Sequence, residues 1–125
     1  MTDPISTVEA FLARLGEPNG FAAAVREWFT PDTVYENIGM SRTTGIEESA
    51  AFAEQFVTRT GSVAIRVETL AVAAAGNKVL TERIDHIVDA AGKTTMSIPL
   101  MGVFVVEGGK ITEWRDYFDT APFRA

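Results

Sequence analysis

Two acids and an arginine stand in strand-like segments where a core is ordinarily apolar. Thr81-Glu82-Arg83-Ile84-Asp85-His86 lies in the middle of one alternating run, and Trp114-Arg115-Asp116-Tyr117-Phe118 in the middle of another. Residues two apart share a strand face, so Arg83 and Asp85 point the same way, beside Ile87. Asp116 shares its face with Trp114 and Phe118, two large side chains that favour burial. A carboxylate between them is costly unless it is paired. Two neighbouring carboxylates against apolar walls cannot both ionise cheaply, and one that holds a proton beside one that has lost it is equipped for general acid–base work. Tyr35-x-Asn37 adds a phenol and an amide on one face of a shorter strand.

Each of these also has a structural reading. Arg83 and Asp85 can be an ion pair on a solvated strand face, Asp116 a rim carboxylate beside Arg115, and Tyr35 and Asn37 strand-end packing before a turn. The opposite face of the Arg83 strand (Leu80, Glu82, Ile84, His86, Val88) is mixed, so alternation alone leaves open which side faces in. His86 must point away from Asp85. Met40, Met96 and Met101, with Leu100, Phe104 and Phe56, read as core and pocket wall. Gly108-Gly109 is a turn, since no strand–glycine–helix context for phosphate binding surrounds it.

Periodicity places these residues on an α+β frame. Ser6-Thr7-Val8-Glu9 reads as a capping box with Ser6 at the N-cap. Val8, Phe11, Leu12 and Leu15 then recur at helical spacing up to Gly16. Phe21, Val25, Trp28 and Phe29 form a second short helix, stopped by Thr30-Pro31-Asp32. Residues 33–37 read as a strand, 41–45 as a loop and 46–58 as a third helix. After Gly61 the period becomes two, with strands expected over 62–75, 78–90, 94–106 and 111–119, separated by glycine-containing turns. Pro99 suggests a bulge or an edge position. Helices followed by an antiparallel meander predict a strongly curved antiparallel or mixed sheet, closed on one side by the N-terminal helices into a cone with an interior pocket.

Composition narrows the functions. With 125 residues, a single domain over 1–125 is expected. The formal net charge of −6 argues against nucleic acid and anionic membrane as partners. There is no cysteine, and His86 is the one histidine, which excludes thiolate and multi-histidine metal sites. No metal or other cofactor is implied. Neither a signal peptide nor a membrane span is visible, so a cytoplasmic location is expected.

Together the motifs resemble limonene-1,2-epoxide hydrolase. They are Tyr-x-Asn at Tyr35 and Asn37, Thr-Glu-Arg-x-Asp at Thr81 to Asp85, Gly-Val-Phe at Gly102 to Phe104, and Gly-Lys-Ile-x-x-Trp-Arg-Asp-Tyr-Phe-Asp at Gly109 to Asp119. The resemblance implies a cone of the nuclear-transport-factor-2 (SnoaL-like) type, usually a homodimer, that adds water to an epoxide in one step. It implies Asp116 as the general base, Tyr35 and Asn37 as holders of the water, Asp85 as the general acid and Arg83 between the two carboxylates. The wall expected around a small apolar, cyclic or terpene-like epoxide is Trp114, Phe118, Met40, Ile87, Leu100 and Phe56. Two departures bear on substrate size: the stretch ahead of the first helix is nearly absent, and Pro99 lies beside the pocket wall. The rivals are an isomerase or cyclase of the same shape, which would not want a guanidinium between its acids, and a binding module whose acids are structural.

Overall fold

Residues 3–123 are described by the computed structural model. Helices α1 (Pro4–Leu15) and α2 (Gly20–Trp28) lead into strands β1 (Phe29–Asn37) and β2 (Ser41–Thr44). Helix α3 (Ile46–Thr60) follows, then β3 (Ser62–Ala75), β4 (Lys78–Asp89), β5 (Thr94–Glu107) and β6 (Lys110–Tyr117). The six strands make one sheet in the order β2-β1-β6-β5-β4-β3. β3 to β6 form the expected antiparallel meander, while β1 joins β6 in parallel and so makes the sheet mixed. Register shifts between Thr69 and Ala71 and between Ile87 and Val88 add twist where the strands curl. This is the α+β architecture expected from the sequence, with the helices covering the inner face.

Several local expectations are corrected. The cap of α1 is Asp3 rather than Ser6: its carboxylate accepts from the Ser6 backbone N–H at 3.0 Å and from the Ser6 hydroxyl at 2.8 Å. Pro4 supplies the helical φ at the first position, which moves the start forward. Phe29 opens β1 instead of closing α2, because Thr33 Oγ1 donates to the Ile111 carbonyl at 2.6 Å and ties this stretch to β6. Residues 41–44, expected as loop, form an edge strand against β1. Ser-Arg-Thr-Thr carries no apolar alternation that could have announced it. Helix α3 runs on to Thr60 and stops at Gly61, whose φ of +70° suits glycine. Pro99 sits opposite Ile84 in unbroken register, where β5 has a neighbour on one side only, because β6 pairs with β5 from Met101 onward. β6 ends at Tyr117, two residues short of expectation.

The core forms between the helices and the sheet. Val8, Phe11, Leu12 and Leu15 of α1 are buried, and Phe11 makes ring contacts with Trp28, Phe29, Phe104 and Trp114 at centroid distances of 5.1–6.0 Å. Met96 and Met101 are exposed and are neither core nor pocket wall. On β5 it is Leu100 and Gly102 that face in, which sends Met101 out. Met96 lies beyond the stretch of β5 that β6 pairs with and is 41% exposed. His86 faces away from Asp85 as expected and meets Ser97 and Glu68 across the neighbouring strands. No described helix is long and apolar enough to cross a membrane.

Candidate active site

Arg83 and Asp85 project from β4 toward the helices, and Asp116 projects from β6, with β5 between them. All three are buried: Arg83 is 0% exposed, Asp116 3% and Asp85 8%. The guanidinium joins the two acids. Its Nε and Nη2 donate to Asp85 at 3.2 and 3.0 Å, and its Nη1 and Nη2 donate to Asp116 at 3.2 and 3.0 Å. Nη1 also donates to Thr81 Oγ1 at 3.0 Å, and that hydroxyl donates on to the Gly102 carbonyl at 3.1 Å. Every N–H of the guanidinium is thereby used, with a two-pronged grip on each carboxylate. The indole Nε1 of Trp114 donates to Asp116 at 2.8 Å.

This arrangement sets the charge. Both carboxylates ionised against one guanidinium leave a buried net charge of −1, and a single proton neutralises the cluster. Burial raises the Asp116 carboxyl above its ordinary range, and Arg83 offsets only part of that. Burial opposes the charge on Arg83, but Asp116 and Asp85 more than compensate, so the guanidinium stays charged. Burial, reinforced by the nearby Asp116, pushes the Tyr35 phenol up and keeps its proton on.

Beside the acids lies a cavity of about 560 Å³. Asp85, Asp116, Tyr35 and Asn37 reach its surface, as do all six residues expected as wall: Trp114, Phe118, Met40, Ile87, Leu100 and Phe56. Arg83 does not; it sits behind the carboxylates. Phe118 reaches the cavity from beyond the end of β6 rather than from the strand face shared with Asp116, and it packs edge-on against Phe123. Tyr35 stacks on Trp114 with centroids 4.1 Å apart, and Asn37 is the strand neighbour of Asp116. Asn37 Nδ2 donates to the Tyr35 oxygen at 3.2 Å and to Ser41 Oγ at 3.1 Å. Both amide hydrogens are then spent, and the Asn37 carbonyl oxygen and the Tyr35 O–H are left for a ligand beside Asp116. Among the described residues, no group of three or more His, Asp or Glu comes together as a metal site.

Residues 2–123 match the limonene-1,2-epoxide hydrolase catalytic domain. The chain belongs to the limonene-1,2-epoxide hydrolase family. Epoxide hydrolase EphG of Mycobacterium tuberculosis is 38% identical over 112 residues, which is 90% of this chain and 70% of that protein. A solved LEH-like epoxide hydrolase from M. tuberculosis superposes with a TM-score of 0.76 at 35% identity, covering 96% of this chain and 84% of that one. The fold alone is shared more widely. A putative SnoaL-like polyketide cyclase from Jannaschia sp. CCS1 aligns with a TM-score of 0.72 at 21% identity, covering 96% of this chain and 88% of its own.

Within this member of the family, three further positions support the cluster: Thr81 and Gly102, which sequence reasoning quoted within motifs but gave no role, and Ser41, which it left in a loop. Thr81 anchors Arg83, and its sequence signals are its place at the head of Thr-Glu-Arg-x-Asp and the strand face it shares with Arg83. Ser41 orients Asn37 from the unexpected strand β2. Gly102 forms the floor: a Cβ there would collide with Arg83 Nη1 and Asp116 Oδ1 and crowd Thr81 Oγ1. A glycine inside a strand marks a close approach of this kind.

Proposed function

We propose that the protein adds water to a small apolar epoxide, cyclic or terpene-like, giving a vicinal diol in one step by general acid–base catalysis. What carries this proposal is the single guanidinium gripping two carboxylates at the edge of an apolar cavity. One water binds beside Asp116, donating one hydrogen to Asp116 and the other to the Asn37 carbonyl oxygen while accepting from the Tyr35 O–H. Its oxygen attacks a ring carbon as Asp116 takes its proton. The carbon–oxygen bond of the ring breaks, and the departing oxygen takes a proton from Asp85. Negative charge moves from one carboxylate to the other, and Arg83, bonded to both, stabilises it throughout. General acid and general base contributions are each worth about 10²–10⁴-fold, and the aromatic and aliphatic walls exclude competing water.

The test is diol formation from a panel that includes limonene oxide and cyclohexene oxide, run with a chelator present and then as a single turnover in ¹⁸O water. Diol should form without added metal, carry the label, and leave none in the protein. Label recovered in Asp116 would replace direct attack with an ester intermediate. Absence of diol from folded protein would favour an isomerase, cyclase or binding role for the same cone.

The working form we propose is a homodimer. Its support is the outer face of the sheet, where Leu80, Met101 and Tyr117 stand 39%, 49% and 45% exposed, an apolar area that a second copy would cover. The chain should elute as a dimer on size exclusion and Met101→Glu as a monomer. A wild-type monomer at micromolar concentration would end this part of the proposal.

A further inference from the structure

A second cavity, of about 340 Å³, lies where the start of α2, the middle of α3 and the first residues of β3 meet. It shares Phe21, Phe56 and Ile65 with the cavity that holds Asp85 and Asp116, and no other described residue lines both. The two spaces are thus separated by a wall one side chain thick. We propose that this wall sets the length of substrate the protein accepts, and that Phe56 is the specificity-determining residue within it; the inference rests on the hydrolase reading above.

Helix α3 explains why Phe56 falls on the seam. Phe52, Phe56 and Arg59 follow one another at spacings of three and four and face the catalytic cavity, whereas Ala53 and Val57 face the second one. Phe56 stands at the boundary of the two stripes and lines both. The other two members of the wall are fixed. Phe21 is buried and makes edge contacts with Tyr35, Phe52 and Trp114 as well as Phe56. Ile65 is buried in β3 opposite Ile87. Phe56 is only partly buried, and its ring contact is the one with Phe21, at 5.9 Å. Beyond it the second cavity is lined mainly by small and aliphatic residues, among them Ala22, Ala53 and Ala64, with Asn19, Glu54 and Ser62 as its polar members. Strand spacing puts Ile65 about 8 Å from Asp85, two residues along β4 and one strand across, which is the reach of a short alkyl chain. A chain attached to an epoxide held at the acids and running toward Ile87 therefore meets Phe56. Without the ring it would continue into mainly apolar space.

The experiment compares wild type, Phe56→Ala and Phe56→Leu on terminal epoxides from hexene oxide to dodecene oxide. In parallel, straight-chain alcohols of the same lengths are titrated, with binding read from the rise in melting temperature. In wild type, affinity should climb by about fourfold per added methylene and then stop at the length that meets the wall. In Phe56→Ala the climb should continue, raising the long-to-short ratio of kcat/KM by more than about tenfold. Phe56→Leu should shift it in the same direction by less, which carries the test if the alanine variant does not fold. Ala22→Leu, which adds bulk to the lining of the second cavity alone, should leave the wild-type ratio unchanged and cancel the gain of Phe56→Ala. An unchanged length limit in folded Phe56 variants, or a wild type with no limit up to dodecyl, would overturn the proposal. If no epoxide is hydrolysed by wild type, the hydrolase reading fails, and the alcohol series still decides whether the wall exists.

Discussion

Asp116→Asn should lose diol formation by about 10²–10⁴-fold while keeping its fold. The amide has the shape of the carboxylate and can still accept from Trp114 Nε1 and Arg83 Nη1 at the Oδ1 position. It cannot take a proton from water. At the Oδ2 position its NH₂ would face Arg83 Nη2, donor against donor, a penalty of about 1–3 kcal/mol. Removing the surplus negative charge of the cluster works in the opposite direction, so the melting temperature should move by only a few degrees. The pH profile is the companion measurement. A general base works when ionised, and burial raises the Asp116 carboxyl above its ordinary 3.8. The acid limb of kcat/KM should therefore lie above the usual carboxylate range and disappear in the variant. Diol assays beside circular dichroism melts separate the outcomes. A folded variant with more than a tenth of wild-type activity would remove Asp116 from the chemistry, and a collapsed one would make it structural.

Asp116 was the acid whose orientation could be read from sequence, because Trp114 two residues earlier can only be buried, and an acid on that face needs a partner. Its expected companion Phe118 did not contribute in the same way, since the strand ends before it. Arg83 and Asp85 gave no such clue. Both faces of β4 carry charges and apolar residues, and only the packing of α1 against the sheet decides that Arg83, Asp85 and Ile87 go inward. The same ambiguity misplaced Met101: its size suggested wall, whereas inward Leu100 and Gly102 leave it outside. Thr81, Ser41 and Gly102 act by contact rather than by type. A hydroxyl two residues from an arginine, a serine in a polar tetrapeptide and a glycine in a strand acquire meaning only when β2 pairs with β1 and β5 runs between the two acids. The meander itself was legible because alternation over a dozen residues survives local irregularity, while β2 has too few residues to show a period.

Replacing the guanidinium tests the electrostatic argument most severely. Arg83→Met keeps an unbranched apolar stem but, being shorter and without the guanidinium, leaves two buried carboxylates facing each other with no cation. Removing one partner of a buried ion-pair network costs about 3–5 kcal/mol, a large part of the stability of a chain this size. The loss should depend on pH, with a definite sign. The Asp116 carboxyl already holds its proton to higher pH when folded than its ordinary 3.8, through burial, and Arg83 is the strongest influence holding that rise down. Without Arg83 the folded value climbs further. Over the window from 3.8 up to that folded value the native state binds more protons than the unfolded chain, so stability falls as pH rises through it. The variant should therefore melt close to wild type near the lower edge of the window and far below it at neutral pH. Adding Asp116→Asn to Arg83→Met should recover part of the neutral-pH loss by removing one of the two opposed charges. Melting curves of the three proteins across pH would decide it. A deficit in Arg83→Met that is the same at every pH would mean that Arg83 holds the sheet together by packing against Phe104, over whose ring its Cζ lies at 5.6 Å, rather than by joining the two acids.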